Sequence, residues 1–345
     1  MAEEPYWVLH VDLDQFLAAA EVLRRPELAG QPVVVGGRGD PTERGAVAAA
    51  SYPARELGVR AGMALRTAAR RVPDLVFLPA DNPYYEQVSE QVMATLRALP
   101  GAVVEVLGWD EAFIGVHTTD PEALARAVQR AVLDATGLHC TVGIGDNLLR
   151  AKLATGFGKP AGVYRLTADT WEQVMAHRPT RALWGIGART AATLAERGLH
   201  TVRDLAAADP DALAADLGPA MGPWYVQLGR GIARAEVVGT PWERRSRSRE
   251  STFQQDLADW ERVRAETAAL ARRVAQDMAD DGRPALRVAV KVRFVPFTTR
   301  VRSATLPEPT TDPDAFTAAA LGVLDRFRRD RAVRLLGVRA DYVKR

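Results

Sequence analysis

The stretch Trp7-Val8-Leu9-His10-Val11-Asp12-Leu13-Asp14 constrains the fold more than any other part of the chain. It reads as an apolar strand that ends in carboxylates. A helical stretch, Phe16 to Leu23, follows and stops at Pro26. Two short β-like runs, Pro32–Val35 and Ala46–Ala50, flank the Gly/Asp/Pro-rich loop 36–45. The pattern predicts helices over Tyr52–Leu57 and Ala64–Arg71, a strand over Leu75–Leu78, and a long helix from Pro83 to Leu99. Val103–Leu107 and Ala112–Val116 form a β-like pair around the turn Gly108-Trp109-Asp110-Glu111. A helix (Pro121–Thr136), a strand (Cys140–Ile144) and a helix (Leu148–Gly156) complete the block. With residues 18–77 set aside as an insertion, the order is β, α, ββ, α, β, which predicts a ferredoxin-like, split βαβ sheet.

Residues 168–233 read as helical and Ala-rich, and residues 234–245, with Gly239, Pro241 and paired arginines, as a linker. Ser251–Leu257, Ala285–Val295 and Leu335–Val343 are strand-like, with helices near Trp260–Asp280 and Asp314–Arg328, so a second βαββαβ-like module is expected. A chain of 345 residues exceeds what one core usually supports, in keeping with several domains. No apolar run approaches the ~18–20 residues of a membrane span. The opening Met1-Ala2-Glu3-Glu4-Pro5 is acidic, unlike a secretory signal. The single cysteine, Cys140, excludes a disulfide framework and fits a reducing cytoplasm.

The net charge of +2 conceals an asymmetry: residues 246–345 carry 20 Lys+Arg against 14 Asp+Glu, and the remainder is net acidic. A basic C-terminal module suits a polyanionic partner, although an imbalance of this size also arises by ordinary scatter.

Asp12 at a strand end and Asp110-Glu111 in a hairpin turn lie on strands that a split βαβ sheet makes neighbours. Converging carboxylates repel unless cations neutralise them, and hard oxygen donors suit Mg²⁺. Two such ions support phosphoryl transfer. Taken singly, each acidic group reads more readily as a turn former or a solvated side chain. Tyr52 and Arg55, at i and i+3 of one helix, offer a phenol and a guanidinium fork to a triphosphate, or simply an amphipathic helix start. Lys159, in Gly158-Lys159-Pro160, adds a cation on a loop, in a chain with 41 arginines and only 4 lysines. Gly185-Ile186-Gly187 between helical stretches reads as a helix-hairpin-helix that grips a phosphate, or as a plain turn with a glycine cap. Arg244, Arg245, Arg247 and Arg249 form either an electrostatic footprint for a nucleic-acid backbone or a solvated linker.

Together these residues resemble the Y-family DNA polymerases, specifically the DinB or polymerase IV-like branch. The resemblance spans essentially the whole chain. It rests on Val11-Asp12-Leu13-Asp14-Gln15-Phe16, on Ser51-Tyr52-Pro53-Ala54-Arg55 with Gly58-Val59-Arg60-Ala61-Gly62-Met63, and on Trp109-Asp110-Glu111-Ala112-Phe113. Val142-Gly143-Ile144-Gly145, Ala151-Lys152 and Gly158-Lys159-Pro160 extend it.

The resemblance implies a multidomain α+β right hand. Its parts would be a palm (1–17 and 78–167), fingers (18–77), a helix-hairpin-helix thumb (168–233), a linker (234–245) and a little finger (246–345). It implies template-directed nucleotidyl transfer of the translesion type, with low fidelity and no proofreading, by a monomer associated with the nucleoid. Asp12, Asp110 and Glu111, helped by the Leu13 carbonyl, would hold two Mg²⁺, with Mn²⁺ able to substitute. Tyr52, Arg55 and Lys159 would hold the incoming triphosphate, and Phe16 and Leu17 would lie near its sugar. Primer–template DNA would meet Gly185, Gly187 and the arginines at 244, 245, 247 and 249.

Several positions depart from the family's usual pattern. Gly108 stands where serine is common, Trp109 where a small aliphatic residue is common, Pro53 in place of glutamate, Ala49 in place of a hydroxyl residue, and Leu148 where Asn-Lys is usual after Asn147. Leu17 occupies the place, five residues after the first metal-binding aspartate, where an aromatic ring usually excludes a ribose 2′-OH. Ready use of ribonucleotides is therefore expected alongside deoxynucleotides. Gln254-Gln255-Asp256-Leu257 faintly resembles a sliding-clamp peptide but suits the first little-finger strand, and no clamp-docking tail is expected. Two other readings remain: a catalytically weak DNA-binding factor of the same fold, and a nucleotide cyclase, whose two-metal carboxylates also sit on a split βαβ sheet.

Overall fold

A computed structural model of the chain describes residues 4–343. The acidic start at Met1–Glu3 and the chain end at Arg345 lie outside the described residues. Two compact bodies form, one running to Pro241 and one from Trp242 onward, with residues 40–45 and 64–66 grouped with the second. Among the described residues no helix is long and apolar enough to cross a membrane.

The first body begins with β1 (Tyr6–Leu13) and α1 (Phe16–Arg24), followed by β2 (Val33–Val35), β3 (Ala49–Ala50), α2 (Tyr52–Glu56), α3 (Leu65–Arg71) and β4 (Val76–Leu78). Strands β3, β2 and β4 make a small separate sheet. Helix α4 (Asn82–Arg97), β5 (Val103–Val106), β6 (Glu111–His117), α5 (Pro121–Thr136), β7 (Cys140–Gly145), α6 (Leu148–Gly158) and β8 (Val163–Leu166) return to the main sheet. Its order is β5-β6-β1-β7-β8, with β1 antiparallel to both neighbours. This is the split βαβ arrangement, extended by β8, a parallel edge strand that the sequence reading missed.

Ordinary end signals set the helices. The Asp120 side chain accepts from Ala123 N–H to open α5, and Gly137, at φ 71°, closes it. Its buried residues Ala125, Val128 and Val132 recur every three or four positions and face the sheet. On the other side α6 approaches β7 at backbone distance: a Cβ at Gly143 would lie 2.2 Å from Ala151 O and 2.4 Å from Thr155 N. Glycine is required there by space, and the contact fixes the height of Lys152 on α6 relative to β1.

Helices α7 (Ala168–Met175), α8 (Ala188–Ala195), α9 (Val202–Ala207), α10 (Pro210–Leu217) and α11 (Met221–Gly229) pack around Trp171, Leu194, Leu205 and Val226 as a helical subdomain. The segment after α11 departs from the expected linker over 234–245. Arg234 donates two bonds to the Glu105 carboxylate at 2.7 and 3.0 Å, Val238 N–H donates to the same group, and Val237 is buried under the Tyr6 hydroxyl. These residues are docked on β1, β5 and β6 because Val237 has an apolar seat and Glu105 needs a cation.

The second body contains β9 (Ser246–Leu257), α12 (Trp260–Asp281), β10 (Ala285–Phe294), β11 (Thr298–Thr310), α13 (Pro313–Leu324) and β12 (Val333–Tyr342). Its element order repeats β, α, ββ, α, β, but the strand order is β11-β10-β12-β9, so its first strand stands at an edge rather than in the centre. The position of β11, the fourth strand such a module needs, was not given by the pattern, and β9 begins at Ser246, five residues earlier than expected. The run Gln254–Leu257 lies inside β9.

Candidate active site

The β1–β6 register pairs Asp12 with Glu111, and β1–β7 pairs Asp12 with Thr141. Asp110 sits in the turn immediately before β6, where its carbonyl accepts from Leu13 N–H at 2.8 Å. Three carboxylates from residues 98 positions apart in sequence therefore meet at one end of the sheet. Asp12 and Asp110 line a cleft of about 430 Å³ whose walls also include Leu17, Ala49, Arg55, Trp109 and Lys159.

Two lysines meet this cluster. Lys159 is paired with Asp12 and Lys152 with Glu111. His10, fully buried, places Nε2 3.5 Å from Glu111 Oε2 and 3.3 Å from Lys152 Nζ, while its Nδ1 lies 2.8 Å from the Thr155 hydroxyl. The His10 ring and the Lys152 ammonium hold the Glu111 carboxyl down at about 2. Burial lowers the His10 pKa, favouring the neutral ring. Burial, and then repulsion from Asp12 and Glu111, pushes the Asp110 carboxyl up.

That last shift tests whether the residues suit cations. A carboxylate that two like charges and burial drive toward protonation gains from any added positive charge. The donors are hard oxygens of the kind divalent magnesium or manganese takes. The set therefore fits divalent ions. His10, Asp12 and Glu111 each bring a potential ligand atom within 4.8 Å of the others.

Tyr52 and Arg55 open and close one turn on α2, with the Arg55 guanidinium 5.2 Å from the centre of the Tyr52 ring. Arg55 Nε donates to the Ala50 carbonyl at 2.9 Å, which aims the rest of the fork toward the cleft that Arg55 lines. The Tyr52 hydroxyl donates to Asp14 at 2.7 Å. Burial and this anionic partner push its phenol pKa up. Gln15, at φ 47°, accepts from the Tyr52 backbone N–H at 2.5 Å. Leu17 and Phe16 both line the cleft. Phe16 is nearly fully buried, whereas Leu17 is only partly so.

The expected DNA contacts divide. Gly185, at φ 96°, packs against Trp224, and Gly187 caps α8 with open space where a Cβ would stand. Arg247 and Arg249 are not linker residues: both lie in β9, doubly hydrogen-bonded to Asp281 and Asp277 of α12 at 2.6–2.7 Å. Their regular β spacing places them on one side of the strand, facing carboxylates of α12, although about half of the Arg249 side chain stays exposed. Arg244, 4.0 Å from Asp281, and Arg245 are exposed ahead of β9.

The sequence reading gave no role to His10, Asp14, Gln15 or Lys152. The signal was partly present: His10 is a polar residue inside an apolar strand, and Lys152 is one of only four lysines. Nothing in the linear pattern distinguished Asp14 from a solvated strand end.

The impB/mucB/samB family matches residues 11–156, the C-terminal domain of that family matches 244–343, and a SAM-like helix-hairpin-helix tandem matches 183–219. The chain is 49% identical over 341 residues to a protein named DNA polymerase IV 2 from Mycobacterium tuberculosis, covering 98% of both. It is 40% identical over 344 residues to DNA polymerase IV of Methanoculleus marisnigri, covering 98% of this chain and 94% of that one. A solved Y-family DNA polymerase chimera, Dbh-Dpo4(243-245)-Dbh, shares the fold with a TM-score of 0.84 at 24% identity, over 97% of this chain and 98% of that one. With the carboxylate cluster at the end of its split βαβ sheet, the chain belongs to the impB/mucB/samB family, as a DinB-like, Y-family DNA-directed DNA polymerase.

Proposed function

We propose that this polymerase performs translesion-type nucleotidyl transfer through Asp12, Asp110 and Glu111, and that it discriminates weakly between deoxy- and ribonucleotides. The observation that carries the reading is the shared cleft: the carboxylates Asp12 and Asp110, the cations Arg55 and Lys159, and Leu17 all line it. Asp12, Asp110, Glu111 and the Leu13 carbonyl would hold two Mg²⁺, or Mn²⁺ in their place. Such ions, when bound, promote attack by the primer 3′-oxygen and offset charge on the leaving pyrophosphate.

The chain's own groups supply the rest. Arg55 and Lys159 bind triphosphate oxygens, and Lys159, with three donors, can serve a phosphate as well as Asp12. His10 and Lys152 keep Glu111 ionised and oriented. Leu17 faces the sugar with a side chain smaller than a ring, so a 2′-OH meets less resistance. Phe16, held within the core, supports assigning that role to Leu17. Gly185 and Gly187 of the thumb, and Arg244 and Arg245 at the end of the linker, grip the primer–template backbone without reading sequence. The absence of any bulky side chain at Ala48, Ala49 and Ala61 along the cleft supports a loose fit and low fidelity. The partition into palm, fingers, thumb and little finger follows the boundaries given above, except that 234–238 belong with the palm. The protein acts as a monomer on DNA in the nucleoid.

Primer extension with four dNTPs or four rNTPs, each with Mg²⁺ or Mn²⁺, tests the reading. Extension with dNTPs in both metals and appreciable extension with rNTPs are expected. Binding of DNA without extension in either metal would favour the DNA-binding factor instead.

A further inference from the structure

Asp14 is almost fully buried, yet three donors from separate parts of the chain converge on it. The Tyr52 hydroxyl reaches Oδ1 at 2.7 Å and the Thr141 hydroxyl reaches the same oxygen at 2.9 Å. Ala161 N–H donates to Oδ2 at 2.7 Å. Ala161 stands two residues after Lys159 and holds φ at 50°, a left-handed conformation that a residue with a Cβ adopts only when its surroundings impose it. The bond to Asp14 is such an imposition. Asp14 thus joins α2, which carries Tyr52 and Arg55, to the loop that carries Lys159, two residues along from Asp12.

We infer that Asp14 is a positioning residue for the incoming nucleotide, holding Tyr52 and the Lys159 loop in register with the Asp12 carboxylate. The inference rests on the reading that Arg55 and Lys159 bind the triphosphate. A phenol has one proton, and here Tyr52 gives it to Asp14. The hydroxyl therefore acts as a tether, and the ring, stacked near Arg55, sets the guanidinium.

Single-nucleotide insertion kinetics and DNA-binding affinity test this. Asp14→Asn keeps the shape but removes the charge and turns an amide N–H₂ toward one of the three donors. The nucleotide KM is expected to rise by about tenfold or more, the scale of losing a hydrogen bond to a charged group, with kcat falling less and DNA affinity unchanged. Thr141→Val, which removes a donor to Asp14, should raise KM in the same direction by a smaller factor. Tyr52→Phe combined with Asp14→Asn should cost less than the product of the two separate effects, because they share one bond.

A fall in KM on Asp14→Asn would mean that Asp14 competes with phosphate for the Tyr52 proton, and would overturn the inference. So would a lower kcat at unchanged KM, the mark of a merely smaller folded fraction. Should Asp14→Asn not fold, Thr141→Val decides alone: an unchanged KM overturns the inference. Arg55→Ala separates this from the underlying reading. An unaltered KM there sinks the triphosphate assignment itself, whereas a raised KM with no effect of Asp14→Asn sinks only the role of Asp14.

Discussion

The Phe16 ring meets Tyr85 edge-on, with centroids 6.4 Å apart and planes at 66°. Tyr85 is itself fully buried and hydrogen-bonded through its hydroxyl to Glu21 at 2.6 Å. That contact holds the Phe16 ring toward the core, in keeping with the proposal that Leu17 is the residue facing the nucleotide sugar. Leu17→Phe or Leu17→Tyr is therefore expected to raise the preference for dNTP over rNTP by tens- to hundredfold, the range that one misplaced group contributes to shape discrimination. Single-nucleotide kinetics with matched dNTP and rNTP measure it. A wild-type preference already as strong as that of Leu17→Phe rules the assignment out.

Removing two of the three carboxylates should separate chemistry from binding. Asp110→Ala with Glu111→Ala is expected to abolish extension, while primer–template affinity, measured by fluorescence anisotropy, stays within about threefold, because phosphate contacts dominate such affinity. Extension at the wild-type rate by the double variant would falsify the metal-ligand assignment.

Affinity for primer–template DNA should fall steeply and nearly log-linearly with salt, and depend little on sequence. Arg245→Ala is expected to reduce the salt slope by about one unit. Arg249→Ala, whose guanidinium is already bonded to Asp277, should change the slope much less. Titrations at several salt concentrations distinguish them; equal slope changes for both would show that the β9 arginines also face DNA.

The Arg247–Asp281 pair makes a stability prediction for the second body. Arg247, followed by the Tyr342 hydroxyl at 2.7 Å, holds the Asp281 carboxyl well below the usual carboxylate range. A carboxyl depressed in the folded state stabilises the fold above its unfolded pKa of about 4, and that stability drains away as pH falls through the folded value. Arg247→Ala should cost about 1 kcal/mol at pH 7, measured by urea denaturation. It should also reduce the loss of stability between pH 4 and the acid limit. A variant as stable as wild type at pH 7, with an unchanged acid profile, would refute the pair's contribution.

Gly143→Ala should be costly out of proportion to one methyl group. The added carbon must displace the α6 backbone, at a cost of roughly 1–3 kcal/mol for overpacking. Because α6 carries Lys152 and Thr155, the partners of Glu111 and His10, extension should drop in the fraction that remains folded. Thermal melting and active-site-titrated extension rates check the two effects separately. Gly156→Ala on the same helix, with open space at its Cβ, should show neither loss.

By itself the sequence determined the local order and the acidic chemistry. An apolar strand closing on Asp12, a hairpin turn holding Asp110 and Glu111, and helices with regular apolar spacing are properties of short windows, where periodicity and turn residues act within a few positions. The split βαβ sheet followed from their order, and with it the meeting of carboxylates far apart in the chain. Tertiary structure alone decided which polar groups are spent on one another. Arg247 and Arg249 look free in the sequence, but α12 returns to place Asp281 and Asp277 beside them. Residues 234–238 look like a linker, but Glu105 and Tyr6 hold them to the sheet. Asp14 looks like a solvated strand end, yet Tyr52, Thr141 and Ala161 reach it from 38, 127 and 147 positions away. Partners at such separations leave no periodic trace, because a hydrogen bond depends on where two groups lie in space and not on the spacing of either along its own segment.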